Sequence, residues 1–94
     1  MTDAPLPDLV LYGRADCALC ADARELIVAL LGDRAKNGLP TPAFVERDID
    51  DDPAWQRAYF ATIPVVELGQ ERLETVIGAG KLRRLLAQLD GIPA

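Results

Sequence analysis

The sequence predicts a single α/β domain with a four-stranded mixed sheet and three helices, in the chain order β-α-β-α-β-β-α. Short apolar runs with β-branched and aromatic residues alternate with segments whose apolar residues recur every three or four positions. A strand, a helix and a second strand in succession indicate a βαβ unit with parallel strands, and a late hairpin adds an antiparallel strand. The chain has 94 residues, of which 50% are hydrophobic, which suits one folded domain.

This domain is expected to span residues 1–94, with residues 1–7 as a flexible N-terminus. The first residues are acidic and contain two prolines, and they lack the basic and apolar regions of a secretion signal. No apolar run approaches the roughly 20 residues needed to cross a bilayer. With a net charge of −5, the chain is predicted to be a cytoplasmic protein that binds neither nucleic acid nor a membrane.

The first half of the chain predicts a strand, a long helix, a loop and a second strand. Residues 9–12 form a continuous apolar run typical of a strand buried on both faces, and residues 13–16 form the turn that leaves it. From Ala18 the apolar residues follow a helical period, which predicts an amphipathic helix that ends near Gly32. The loop and the second strand are predicted at residues 33–42 and 43–49.

The second half predicts a short helix, a hairpin and a final helix. Asp51 or Asp52 is expected to cap a helix that begins at Pro53 and whose aromatic residues, including Phe60, pack inward. Strands are predicted at residues 62–68 and 71–77, with Pro64 at the head of the first one, where a missing N–H is tolerated. The last helix carries an apolar stripe of Leu82, Leu85, Leu86 and Leu89.

Two cysteines stand where the first helix begins. Cys17 and Cys20 are three positions apart, so one helical turn places both sulfurs on one face, within disulfide distance. Cys17 faces the unpaired N–H groups and the positive end of the helix, which favour thiolate over thiol. Thiolate is the nucleophile of disulfide exchange. Cys17 is therefore predicted to attack a substrate, and the more deeply placed Cys20 to act second.

Two other interpretations of the cysteines remain open. Cysteine is often an inert, buried, small hydrophobic residue. Cys-x-x-Cys is also half of many zinc sites, but this chain has no histidine and no third cysteine, so a tetrahedral site would need carboxylates or a second subunit. No metal site is predicted. In a reducing compartment, a single close pair of cysteines is more often catalytic than structural.

The predicted element order resembles the thioredoxin fold, and specifically its glutaredoxin-like members, over nearly the whole chain. Residues 11–20 (LYGRADCALC) resemble the active-site loop, residues 46–50 (ERDID) the end of the second strand, and residues 62–65 (TIPV) the Thr-Val-Pro segment. Each segment alone is a weak signal, but the three occur in the family's order.

The resemblance implies a substrate-binding set around the cysteines. Pro64 would follow a cis peptide bond and face the cysteines, and the backbone of Ile63 would be free to pair with an extended substrate. Arg14 and Thr62 match positions that contact glutathione, Arg14 through the glutathione carboxylate. Gly78 stands where the family closes the glutathione site.

The chain departs from the family at three places. Ala18 and Leu19 replace the Pro-Tyr interior of the motif, and Asp16 places a carboxylate beside Cys17 that opposes thiolate formation. Lys81 stands where an acidic residue would hold the amino group of glutathione, and two cations repel. No bound cofactor is expected. Glutathione is predicted to be a weak reductant, with a dithiol reductase of the thioredoxin-reductase type at least as good an electron donor.

The leading hypothesis is a monomeric cytoplasmic thiol–disulfide oxidoreductase, active in cell redox homeostasis, that reduces disulfides of proteins or small molecules. An alternative is a non-catalytic thioredoxin-fold module that binds a peptide or partner protein past Pro64. A third hypothesis is a subunit that shares zinc or an iron–sulfur cluster across a dimer. The fold by itself does not decide among them.

Overall fold

A computed structural model of the protein describes residues 6–75 and 77–91. Within these residues the fold has four strands, three α-helices and two short 3₁₀-helices. In chain order they are β1 (Leu9–Gly13), α1 (Ala18–Lys36), β2 (Phe44–Asp48), a 3₁₀-helix (Ile49–Asp51), α2 (Pro53–Tyr59), β3 (Val65–Leu68), β4 (Glu71–Glu74), α3 (Ala79–Ala87) and a second 3₁₀-helix (Gln88–Gly91).

The sheet is mixed and has the strand order β2-β1-β3-β4. Strand β1 runs parallel to β2, with Leu9 opposite Phe44, and antiparallel to β3, with Tyr12 opposite Val65. Strands β3 and β4 form the predicted hairpin. This order confirms the predicted thioredoxin fold.

Two hydrophobic clusters cover the two faces of the sheet. Alternate residues of β1 supply both, because successive side chains of a strand point to opposite faces. Leu9 and Leu11 pack with α1 and α3, whereas Val10 and Tyr12 pack with α2. The buried leucines of α3 are Leu82, Leu85 and Leu86, and Leu89 follows in the second 3₁₀-helix, as the predicted stripe requires.

Helix α1 extends one turn beyond its predicted end at Gly32. It ends at Lys36, and Gly38 then adopts the left-handed conformation with φ of 71°. Gly32 lies inside the helix, whose backbone continues through it without a break. The last turn is anchored because Arg34 is buried and its Nε donates to the carbonyl of Pro40 at 2.9 Å.

Strand β2 is shorter than predicted. It ends at Asp48, whose carboxylate accepts the N–H of Asp50 at 2.8 Å and thereby turns the chain into the first 3₁₀-helix. Asp52, one of the two predicted caps, accepts the N–H of Ala54 at 2.8 Å. Helix α2 begins at Pro53 as predicted. Phe60 does not pack inward, since it is 66% exposed.

Strands β3 and β4 are also shorter than predicted. Strand β3 begins at Val65, because the N–H groups of Thr62 and Ile63 both donate to the carbonyl of Tyr59 and form a turn instead of a ladder. Strand β4 ends at Glu74, because Thr75 has φ of 63°, which lies outside the range of strand residues. Val76, predicted to lie in this strand, is outside the described residues.

The predicted flexible N-terminus falls mainly on residues 1–5, which lie outside the described residues. Leu6 is described and packs against the cluster formed with α1 and α3. None of the described helices is long and apolar enough to cross a membrane.

Candidate active site

The loop after β1 delivers Cys17 to the N-terminus of α1. Cys17 is the N-cap residue of the helix, and its Sγ accepts the N–H of Cys20 at 3.1 Å. The two cysteines form a disulfide with their Cα atoms 5.2 Å apart, well within the range of such bonds. Cys17 is half-buried, whereas Cys20 is 5% exposed. The structure therefore gives the two sulfurs the unequal exposure that the sequence predicts.

The position of Cys17 is electrostatically suited to a thiolate. Side chains at an N-cap accept hydrogen bonds from the free N–H groups of the first turn, and the helix dipole is positive there. The first turn of α1 contains no acidic residue that would compete for these groups. Reduction of the disulfide would leave the Cys17 sulfur at this position, where the helix terminus favours negative charge and the carboxylate of neighbouring Asp16 opposes it.

Gly13, the last residue of β1, lies against Cys20. A Cβ atom at this position would lie 3.1 Å from the Cys20 Cβ and 3.2 Å from its Sγ. Both distances are shorter than ordinary van der Waals contact, so any side chain here would require Cys20 to shift by a few tenths of an ångström. From sequence, Gly13 is predicted only as a turn residue, and this contact is missed. A glycine that ends a buried strand shortly before a cysteine is the only signal that the sequence offers.

Arg14 forms a forked ion pair with Asp50. Its Nη2 donates to Asp50 Oδ1 at 2.8 Å, and its Nε lies 3.2 Å from each carboxylate oxygen. Gln56 Nε2 also donates to Asp50 Oδ1, at 3.1 Å. The hydrogen bond and the charge of Asp50 raise the pKa of Arg14, and the hydrogen bond from Arg14 lowers the pKa of Asp50. Asp50 was not identified from sequence as a partner of Arg14.

A pocket of about 280 Å³ opens beside the disulfide. The end of β1, the first two turns of α1 and the neighbouring strand β2 form its walls. Its polar and sulfur-bearing lining residues are Arg14, Cys17, Cys20, Arg24, Glu46, Arg47 and Asp48. Within residues 6–75 and 77–91, no group of three or more cysteine, aspartate or glutamate side chains is arranged to hold a metal ion.

The segment before β3 lies at the same end of the sheet as the cysteines. Val65 pairs with Tyr12, so Pro64 lies beside the end of β1 from which the chain turns toward Cys17. The Ile63–Pro64 peptide bond is cis, and Pro64 is fully buried. The Thr62 carbonyl and the Pro64 carbonyl both accept the N–H of Thr75, at 3.0 and 2.8 Å.

The N–H of Ile63 is already occupied, which corrects the expectation from the resemblance. It donates to the carbonyl of Tyr59 at 3.1 Å, because the turn after α2 closes on this residue. An extended substrate could therefore pair with the Ile63 carbonyl but not with its N–H unless the turn opened. The roles of Thr62, Ile63 and Pro64 in binding stay predictions.

Gly78 is the N-cap residue of α3. Strand β4 ends at Glu74, which pairs with Val65, so the chain leaves the sheet for Gly78 at the end where Pro64 lies. Lys81, in the first turn of α3, is exposed. The topology thus brings Arg14, Cys17, Pro64 and Gly78 to one end of the sheet.

Comparison with known proteins identifies relatives of the whole domain. The family model of a glutaredoxin-like domain (DUF836) matches residues 8–89. The X-ray structure of Northeast Structural Genomics target protein XcR50 from X. campestris is 35% identical, with a TM-score of 0.64, and the match covers 90% of this chain and 99% of that chain. The solution structure of XcR50 gives 37% identity and a TM-score of 0.62, over 92% of this chain and 96% of that chain.

A curated protein matches the chain over a shorter stretch. Glycine dehydrogenase (decarboxylating) of Synechococcus sp. (strain CC9902) is 32% identical over 71 residues, which are 76% of this chain. The match covers 7% of the length of that protein. The activity in its name is that of a far longer chain.

Proposed function

The chain belongs to the glutaredoxin-like domain family, and from this membership and the geometry of its cysteine pair we propose that it is a thiol–disulfide oxidoreductase. The observation that carries the proposal is the placement of Cys17 at the N-cap of α1, with its sulfur accepting the Cys20 N–H and with greater exposure than Cys20. An incoming disulfide can reach Cys17 first, and the helix terminus stabilises the thiolate that attacks it.

The proposed reaction uses both cysteines and transfers two electrons. The Cys17 thiolate attacks one sulfur of a substrate disulfide, that bond breaks, and the released substrate thiolate takes up a proton. Cys20 then loses its proton and attacks Cys17 Sγ in the mixed disulfide, which releases the second substrate thiolate, and this thiolate also takes up a proton. The substrate gains two electrons and two protons, and the enzyme is left with the Cys17–Cys20 disulfide seen in the structure.

The substrate-binding residues of this proposal are Arg14, Thr62, Ile63, Pro64 and Gly78. The registers of β1 with β3 and of β3 with β4 support this set, because they bring the ends of these strands near Pro64 toward the cysteine end of the sheet, where we propose that an extended peptide pairs with the backbone. The proposed substrates are disulfides of proteins or small molecules in a reducing compartment such as the cytoplasm. The proposed electron donor is a dithiol reductase of the thioredoxin-reductase type, with glutathione as a weaker one.

Single cysteine variants test the division of labour between the two sulfurs. Cys17→Ser should abolish reduction of a model disulfide, because the attacking sulfur is gone. Cys20→Ser should accumulate a mixed disulfide between Cys17 and the substrate, visible as an added mass, because nothing displaces it. Circular dichroism of both variants checks that the fold is kept.

Two outcomes would contradict the proposal. If Cys17→Ser kept most of the activity, Cys17 would not be the nucleophile. If the wild-type protein reduced no disulfide faster than the double Cys→Ser variant did, the chain would be a binding module of this fold and not an enzyme.

A further inference from the structure

The pocket beside the disulfide contains three arginines, and each already has a partner among the described residues. Two form ion pairs with carboxylates, at 2.8 and 2.7 Å, and the third lies 5.2 Å from the centre of an aromatic ring. The pairs are Arg14 with Asp50, Arg24 with Glu46, and Arg47 with the ring of Trp55. Within the described chain, carboxylates therefore pair with Arg14 and Arg24, whereas the contact of Arg47 with an aromatic ring supplies no counter-charge.

Arg14 is the arginine closest in sequence to the reactive sulfur. It lies three residues before Cys17 and lines the same pocket as both cysteines. Asp50 holds its guanidinium in a forked geometry, which fixes direction as well as charge. Asp50 holds the Nε and Nη2 edge of Arg14, so an anionic group that approaches Cys17 through this pocket meets a guanidinium already paired with a carboxylate and must displace Asp50 to form the same forked pair.

Asp50 is itself held in place from two sides. Gln56 of α2 donates to its Oδ1 at 3.1 Å, and its own N–H donates to Asp48 Oδ1 at 2.8 Å. The first 3₁₀-helix thus presents the carboxylate to Arg14 as a positioned group. A positioned partner is harder to displace than a mobile surface side chain, because less conformational freedom is lost when the pair forms.

Carboxylates other than Asp50 also act on the charge of Arg14. The charges of Asp16 and Asp48 raise the pKa of Arg14 in addition to that of Asp50, so three carboxylates act on one guanidinium. The whole chain has a net charge of −5. The carboxylates that act on Arg14 and the overall charge of the chain both oppose the approach of a small anion to this arginine.

We propose that Asp50 is a specificity-determining residue. Its carboxylate pairs with Arg14, and as a result anionic thiols reduce the Cys17–Cys20 disulfide more slowly than neutral or cationic thiols do. The inference rests on the proposed function and names the class of reductant that the site disfavours. Glutathione, a tripeptide with two carboxylates and one amino group, belongs to the disfavoured class.

Reduction of the Cys17–Cys20 disulfide, the step that Asp50 is proposed to influence, needs two thiol molecules. The thiolate of the first attacks Cys17 Sγ, the disulfide breaks, and the Cys20 sulfur leaves and takes up a proton. A second thiolate attacks the mixed disulfide and releases Cys17. The two thiols leave as one oxidised disulfide and the protein gains two electrons. In each attack, the charged groups of an anionic thiol approach the carboxylates around Arg14.

The test measures how fast each class of thiol reduces the oxidised protein. The oxidised chain is mixed with glutathione, 2-mercaptoethanol or cysteamine and quenched with an alkylating reagent, and the products are separated by mass spectrometry. Rate constants are expressed per concentration of thiolate, which corrects for the ionised fraction of each thiol. Each variant is then compared with the wild type for the same thiol, which cancels differences in intrinsic nucleophilicity between thiols.

Asp50→Asn should change these rates in a charge-dependent way. Glutathione should react about threefold to fivefold faster, the scale of one exposed ion pair, because Arg14 is released and one repelling charge is removed. Cysteamine should slow down, and neutral 2-mercaptoethanol should stay within about twofold. High salt should reduce all of these differences, because it screens exposed charges.

Asp51→Asn is the matched control. Asp51 is exposed, belongs to the same 3₁₀-helix and carries the same charge, but the ion pair of Arg14 is with Asp50. If the two variants accelerated glutathione equally, only overall charge would matter and the proposal for Asp50 would be wrong. An unchanged glutathione rate in Asp50→Asn would equally overturn it. These rates are measured without catalytic turnover. They can therefore support the proposed role of Asp50 even if the protein shows no disulfide reductase activity.

Discussion

Gly13 shows how closely the fold packs around the less exposed sulfur. Its missing side chain leaves the space that Cys20 occupies, and a Cβ there would lie 3.1 Å from the Cys20 Cβ. We expect Gly13→Ala to reduce the free energy of unfolding by about 1–3 kcal/mol, the usual cost of overpacking a core. Chemical denaturation of the oxidised and the reduced protein measures this loss.

Gly32→Ala is the matched control for that variant. Gly32 lies inside α1, is exposed, and a Cβ at this position would meet nothing within 4 Å. Alanine in a helix interior is favoured over glycine, so this variant should be more stable than the wild type by about 0.5–1 kcal/mol. If Gly13→Ala were as stable as Gly32→Ala, the close approach to Cys20 would not constrain the site.

Between elements, one ion pair ties the last turn of α1 to the second 3₁₀-helix. Arg34 is 9% exposed and its Nη2 donates to Asp90 of that 3₁₀-helix. Asp90→Asn should lower the free energy of unfolding by about 1–3 kcal/mol, because the buried guanidinium of Arg34 loses its counter-charge. The loss is limited because part of the pair stays hydrated. Urea denaturation monitored by circular dichroism measures the change.

Asp33→Asn provides the comparison for Asp90→Asn. Asp33 precedes Arg34 in α1, has an exposed side chain, and also loses one negative charge when replaced. Its replacement should change the free energy of unfolding by less than about 0.5 kcal/mol, as exposed substitutions usually do. A similar small effect for Asp90→Asn would mean that the ion pair does not hold the two elements together.

For the molecule as a whole, charge bears on the choice of electron donor. The chain is acidic and Asp50 pairs with Arg14, and the resemblance to glutaredoxins implies that Lys81 stands where an acidic residue would hold the amino group of glutathione. We therefore expect turnover of a model disulfide to be faster with thioredoxin reductase and its nicotinamide reductant than with glutathione and glutathione reductase. Efficient glutathione-driven turnover that fell in Arg14→Ala would contradict this and indicate an ordinary glutaredoxin.

The order of the elements and the place of the cysteine pair could be predicted from local sequence patterns. Strand and helix periods are local, so the apolar run of β1 and the leucine stripe of α3 are recognisable without knowing what they pack against. The cap at Asp52 and the position of Cys17 before α1 likewise depend on neighbours a few residues away. The predicted ends of the elements are less accurate. Strand β4, for example, ends before Thr75, whose N–H donates to the carbonyls of Thr62 and Pro64.

The partners of the groups in the site emerge only when the chain is folded. Arg14 meets Asp50 from 36 positions away, and Arg34 meets Asp90 from 56 positions away. The N–H of Ile63 donates to the carbonyl of Tyr59 because a turn closes, and Gly13 lies close to Cys20 because α1 packs against the end of β1. These contacts form because the fold brings residues that are distant in sequence close together. Local sequence patterns do not predict which distant residues become neighbours.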